Sequence, residues 1–327
     1  MKEKRYFAGA NTTRGFISYY DEIFRPCGAI YVIKGGPGTG KSRLMREAAD
    51  LAEREGAEVE YFYCSFDPLS LDGIIINKDV AVIDGTAPHV YEPTLVGAKE
   101  NLIDLGAFWD EGKLRGHIEE IRTLMSQKKH CFDMAYSFLS LVGSIDATKS
   151  KVLDKYIERD KICANASKMV SEINVPESEI AGTRIISALG RSGRVRFDTF
   201  FENADQSIAL GDHFGEGHIY LDEIRKEANR QGITTAVSYD PMFSDRLNAV
   251  VAGDTCFFID EPEKCAVPDV EELDTQIKTF VKKAEVWLER ASRIHFSLEK
   301  LYVDAMDFAR KEALQNEFIS KLKVQIT

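Results

Sequence analysis

The sequence predicts an α/β protein in which a parallel sheet flanked by helices occurs twice, the second copy degenerate, with long coiled-coil-like helical arms on both. Three observations predict it. Residues 35–42 form a Gly-rich loop between an apolar run and a helix-favouring run. Sliding the chain by 176 residues lays the first half on the second without gaps. Apolar residues recur in steps of four and three along the two long segments that follow the copies.

The loop reads Gly35-Gly36-Pro37-Gly38-Thr39-Gly40-Lys41-Ser42, a complete G-x-x-x-x-G-K-[ST] phosphate loop, followed by Arg43. Its glycines let the backbone curl so that successive N–H groups point at one anion. Lys41 can reach the β- and γ-phosphates of a nucleotide, and the Ser42 hydroxyl can ligate Mg²⁺. Ala29 to Ile33 supplies the strand before the loop. Arg43 to Glu55, free of Gly and Pro, supplies a helix that stops at Gly56. So placed, the loop lies at a helix N-terminus, where the dipole favours phosphate. Residues 35–43 are therefore the candidate nucleotide-binding set of a phosphate-loop NTPase core.

Val80 to Ile83 is an apolar run ending in Asp84, 43 residues after Lys41. A buried parallel strand ending in a carboxylate is the acidic partner of such a loop, and Asp84 is expected to share Mg²⁺ with Ser42. The next residue is Gly85, where many phosphate-loop ATPases place a Glu that orients the attacking water. The second copy carries that pair as Asp260-Glu261, without the loop. His89 and Asp67 are the candidates for the missing base, because loops at the carboxyl ends of parallel strands converge on the ligand. Asp67 and Asp72 are assigned to the loop after a strand over 59–64. Lys41, Asp84, Asp67 and His89 make up the candidate catalytic set. The plainer readings are a loop histidine without chemical role and a turn-forming Asp before Pro68.

In the repeat, Ala52, Arg54 and Gly56 fall on Ala228, Arg230 and Gly232, and Leu71 falls on Leu247. Val80 to Asp84 falls on Cys256 to Asp260. The copies part at the loop, where Gly40, Lys41 and Ser42 meet Glu216, Gly217 and His218. The second segment, Gly211 to His218, has no lysine and puts acids where phosphates would sit, so like charges would repel a nucleotide. The second copy is expected to be structural or regulatory. Arg191, Arg194 and Arg196 are its one dense cationic cluster. They read as a solvated turn, or as the source of a charge-stabilising finger for the first site.

From Leu114 the stripe runs Ile118, Ile121, Met125, Phe132, Ala135, Leu139 and Val142, broken once by Lys128. From Leu273 it runs through Ile277, Phe280, Ala284, Trp287, Ala291, Ile294, Leu298, Leu301 and Ala305 to Phe308, and no Gly or Pro occurs from Asp269 to Thr327. The arms read as a packing seam between the two halves, or as a lever that docks a protein partner. The predicted organisation is a nucleotide-binding core over 1–96, a helical arm over 97–175, a degenerate domain over 176–268 and a C-terminal arm over 269–327. Asn165 to Gly190 reads as a loose connection, with Pro176 and Gly182 as breakers.

Length and composition agree. The 327 residues, 44% hydrophobic and 29% charged, suit two globular domains. No apolar run approaches the roughly 18–20 residues of a membrane span, and no signal-type apolar core follows the basic N-terminus, so a cytoplasmic location is expected. The six cysteines form no C-x-x-C pair, which leaves metal and redox motifs without support. A net charge of −11 speaks against a nucleic-acid-binding face.

Arg5 to Gly9, Lys34 to Ser42, Phe66 to Gly73 and Asp84 to His89 resemble a poorly characterised bacterial family of tandem-repeat ATP-binding proteins with two phosphate-loop domains. The resemblance spans most of the chain and implies binding of ATP with Mg²⁺ and its hydrolysis. In that family both repeats usually look able to carry the loop, and this chain departs from it in the second. Two other expectations stand beside ATP hydrolysis: a small-molecule kinase, and a nucleotide-gated scaffold that hydrolyses little. The expected partners are the nucleotide, a protein docked on the arms, or a second copy of the chain.

Overall fold

The computed structural model describes residues 3–88, 91–175, 180–260 and 267–326. The chain opens with β1 (Lys4–Phe7), then a hairpin of β2 (Gly9–Thr12) and β3 (Gly15–Ser18), then the short α1 (Tyr20–Phe24). β4 (Ala29–Lys34) runs into the Gly-rich loop and α2 (Lys41–Arg54). β5 (Val59–Tyr63), β6 (Leu71–Ile76), β7 (Val80–Asp84) and β8 (Glu100–Asp104) complete a sheet of order β1-β5-β6-β7-β4-β8. β4 is parallel to β7 and β8, and β1 to β5, but β6 is antiparallel to both its neighbours. The sheet is thus mixed where the sequence suggested a parallel one. The cause is local. Only Asn77, Lys78 and Asp79 join β6 to β7, and Asn77 and Lys78 sit at φ 49 and 60. So short a link can only turn back, since a parallel crossover needs about a dozen residues or more.

The middle of the chain is helical: α3 (Glu111–Gly116), α4 (Ile118–Leu153) and α5 (Arg159–Ser171). The second half follows with β9 (Gly182–Thr183), the hairpin β10 (Ser187–Gly190) and β11 (Gly193–Arg196), α6 (Thr199–Glu202), β12 (Gln206–Leu210) and α7 (Gly217–Arg230). β13 (Thr235–Tyr239), β14 (Leu247–Ala252) and β15 (Thr255–Ile259) then precede α8 (Pro268–Asp304) and α9 (Phe308–Ile326). The second sheet has order β12-β15-β14-β13-β9. β12 is parallel to β15 and β13 to β9, whereas β14 is antiparallel to both neighbours. Register shifts occur at Phe62/Tyr63 in β5 and at Ser238/Tyr239 in β13.

The helical segments cross between the halves. α4 lies along α8, with Ala135, Leu139, Ala284 and Leu288 buried between them. α5 gives Ala166 and Val170 to the core of the second half, beside Leu221 and Ile224 of α7. α9 gives Phe318 and Leu322 to the core of the first half, beside Tyr31. The hairpins cross too: Thr13 donates its N–H to the Met242 carbonyl, and Arg191 donates its own to that of Phe66.

Three expectations are corrected here. Residues 97–110 are not arm, because Glu100–Asp104 pairs with β4. The described residues of the segment 165–190 are partly regular, because α5 runs to Ser171 and β9 and β10 begin at 182 and 187, while Pro176 lies outside the described residues. The C-terminal arm is not one helix. It breaks at 305–307, where the Asp110 N–H donates to the Ala305 carbonyl and the Asp307 N–H to that of Phe108. No Gly or Pro marks that break; a tertiary contact makes it. Among the described residues no helix is long and apolar enough to cross a membrane.

Candidate functional site

β4 and β7 end side by side, with Ile33 opposite Asp84, and this register brings the Gly-rich loop to the carboxylate. Gly38 and Gly40 hold φ 70 and 84, a left-handed region that costs other residues about 1–2 kcal/mol. Gly40 is the N-cap of α2, so the first N–H groups of that helix face the loop. Lys41 Nζ lies 3.5 Å from Asp84 Oδ2. It donates to the carbonyls of Gly35 at 2.8 Å and Gly36 at 2.9 Å. Thr39 Oγ1 donates to the Gly36 carbonyl at 3.0 Å. Thr86 ties the two strand ends together, giving its N–H to Asp84 Oδ1 and its hydroxyl to the Gly35 carbonyl, each at 2.8 Å. Burial pushes the Asp84 carboxyl above the usual carboxylate range, against the pull of Lys41 and Thr86.

The other predicted residues divide. Ser42 Oγ accepts the Leu71 N–H at 3.0 Å and keeps its own proton to donate. Arg43 points outward and pairs with Glu47 at 3.0 Å. Asp67 stands on the 64–70 loop and accepts the Leu69 N–H at 3.1 Å, as a turn-former does. It also pairs with Arg191 at 2.7 Å, across the junction between the halves. Asp72 is not on that loop but buried within β6. His89 and Glu261 lie outside the described residues. Of the three clustered arginines, Arg191 is the one that pairs with Asp67. Arg194 stands 3.8 Å from Asp240, and Arg196 lies over the Phe201 ring.

Gly85 has a packing reason. A Cβ there would run into Val32 Cγ1 and come within 3.2 Å of Lys34 Nζ, which donates to the Gly85 carbonyl at 2.7 Å. A Glu at this position would have to displace the Val32 side chain of β4.

Several residues at the loop escape the sequence argument. The α8–α9 elbow and the 106–109 turn lie on it. A Cβ at Gly36 would stand 3.0 Å from the Trp109 ring, and one at Gly38 2.5 Å from Val303 Cγ2. Trp109 and Tyr302 have ring centroids 5.2 Å apart. A Cβ at Gly40 would strike Lys311 Nζ of α9. On the Asp67 side, Lys128 Nζ of α4 meets His295 Nδ1 of α8 at 3.1 Å. Burial, with Lys128, Lys41 and Arg191 nearby, holds His295 down at about 4. Burial likewise lowers Lys128. The one sequence signal for this group was Lys128, the polar break in an apolar stripe.

In the second half, acidic side chains take backbone N–H groups around the start of α7. Asp212 Oδ1 accepts the Gly217 N–H at 2.8 Å, so a carboxylate sits at the start of α7. Glu216 Oε2 accepts the Phe214 N–H at 2.6 Å. Beside them lies a cavity of about 690 Å³, whose lining includes His218, Asp240, Arg194 and Arg246. Burial and Arg246 lower the His218 imidazole. Arg246 is itself paired with Asp146.

The chain matches no protein-family model, no curated protein and no solved structure. Among the described residues no three His, Cys, Asp or Glu side chains gather as a metal-binding group.

Proposed function

We propose that the first half is a phosphate-loop NTPase core that binds ATP with Mg²⁺ and hydrolyses it, and that the second half is a degenerate copy with a structural or regulatory role. One observation carries the reading: Lys41, the first residue of α2, stands 3.5 Å from Asp84 at the end of β7, and the adjacent parallel strand β4 runs into the left-handed glycine loop that opens the helix. A lysine, a helix N-terminus and glycines that leave backbone N–H groups exposed are what a polyphosphate requires. Lys41 is spent only on two backbone carbonyls and Asp84, so a phosphate oxygen can replace the carbonyls. Ser42 and Asp84 are oxygen donors that suit Mg²⁺, an ion that takes few protein ligands beside phosphates and water, and it would neutralise charge developing on the phosphates. The lowered preference of Asp84 for its charged form suits a group that a dication would recharge. Arg191, contributed by the second half, is positioned to add positive charge beside Asp67.

Support for the duplication comes from the strand orders, which coincide in sequence and sense over five strands. α7, β13 and β14 also begin and end 176 residues after α2, β5 and β6. Asp212 at the start of α7 supports the degenerate reading, because it supplies the anion that phosphate would otherwise be.

A nucleotide-gated scaffold is the second reading, favoured by the missing base: a side chain at Gly85 would strike Val32 of β4, and Asp67 is held by Arg191. Steady-state phosphate release from ATP and Mg²⁺ separates the two. Turnover that Lys41→Ala and Asp84→Asn both abolish supports the ATPase. ATP binding without turnover supports the scaffold, and phosphate appearing only with an acceptor alcohol points to a kinase.

A further inference from the structure

We infer that Lys311, carried by the C-terminal helix α9, is a phosphate-binding residue of the site at residues 35–42, so that the anion seat is assembled from both ends of the chain. The inference rests on the reading of that site as a polyphosphate site.

Lys311 is 3% exposed, among the most enclosed charged side chains of the protein. Its ammonium has no carboxylate and no hydrogen-bond acceptor among the described residues. The Phe308 ring lies 5.8 Å from it on the same helix. A buried cation without a counter-charge is costly, and proteins keep one where a ligand completes it.

Its position says which ligand. Nζ stands over Gly40, the N-cap of α2, where a Cβ would strike it. The helix start is itself positive, and Lys41 and Arg43 flank it. The neighbours on α9 show the contrast. Gln315 and Lys323 face the same helix and find carboxylates there, Glu47 and Glu55. Lys311, one turn before Gln315, faces the loop, where no acid is supplied. Burial and Arg43 depress its ammonium, and Glu47 only partly offsets them. A second donor waits nearby: the Trp109 indole N–H is buried without a partner, on a ring that covers Gly36. Two unsatisfied donors over a left-handed glycine loop fit the oxygens of a di- or triphosphate, with Lys41 reaching from the other side.

A consequence follows for α9. Its Phe318 and Leu322 already belong to the core of the first half, so a phosphate held by Lys311 would tighten a helix that is docked and would report occupancy to the C-terminal arm.

The test is isothermal titration of ATP with Mg²⁺, and of inorganic tripolyphosphate, into wild type, Lys311→Met, Lys311→Gln and Lys41→Ala. Melting of the ligand-free proteins runs alongside. Lys311→Met should melt at or above wild type, because it removes a buried unpaired charge. It should bind both ligands about 10–100-fold more weakly, the range expected for one charge-assisted contact. Lys311→Gln should lie between. A Lys311→Met protein that binds tripolyphosphate as wild type does overturns the inference and leaves the site standing. A lower ligand-free melting temperature with unchanged affinity also overturns it, since Lys311 would then be structural. Wild type that binds neither ligand brings down the reading of the site and the role of Lys311 together.

Discussion

Glu60 and Arg184 fix the two halves to one another, and removing either should be severe. Glu60 lies in β5 of the first half, and Arg184 lies between β9 and β10 of the second. The guanidinium donates through Nε and NH2 to the two carboxylate oxygens, each at 2.9 Å. The side chains are only 13% and 8% exposed, and the guanidinium lies over Phe62 at 5.5 Å. Breaking a buried pair from one side strands the other charge, which costs about 3–5 kcal/mol. Glu60→Leu and Arg184→Met should each lose that much by urea denaturation. The double variant strands no charge and should recover most of the loss, ending within about 1–2 kcal/mol of wild type. Unfolding by urea with linear extrapolation gives all four corners of the cycle. Additive losses, or single variants within about 1 kcal/mol of wild type, would refute the reasoning, because the pair would then be reachable by water.

Other expectations follow from the same geometry. Gly85→Glu places a Cβ against Val32, so it should destabilise the protein and should not raise phosphate release, as melting and turnover measured together will show. Gly40→Ala should cost about 1–2 kcal/mol through its left-handed backbone, and it should displace Lys311, read as faster hydrogen exchange at the start of α9. His295 is held at about 4, so the unfolded chain binds its proton first as pH falls. Stability should therefore decline between about pH 6.5 and 4, by about 1–2 kcal/mol once partial exposure is allowed for. His295→Gln should flatten that part of the pH profile.

The strand and helix that flank residues 35–42, and the strand that ends at Asp84, were legible because each is a local pattern. The 176-residue offset read in the sequence is also the spacing between α2, β5 and β6 and α7, β13 and β14. Sheet sense was harder to read. It depends on a three-residue link whose left-handed Asn77 and Lys78 carry no Gly signature. The residues that other parts of the chain bring to the Gly-rich loop were also hidden. Lys311 and Trp109 meet the loop, and Arg191 meets Asp67, through contacts between segments distant in sequence, and one chain position says nothing about which distant element it meets. The break at 305–307 is of the same kind, made by Asp110 and Phe108 rather than by any helix-breaking residue. Lys128 was visible as an interruption of the stripe, and its pairing with His295 gives that interruption a place.

The most direct test of the account is an equilibrium titration of ATP with Mg²⁺ into the intact chain, beside Lys41→Ala. The account predicts saturable binding of one nucleotide per chain, weakened at least about 10-fold by the substitution. No binding would contradict the phosphate site, and two nucleotides per chain would contradict the degenerate second half.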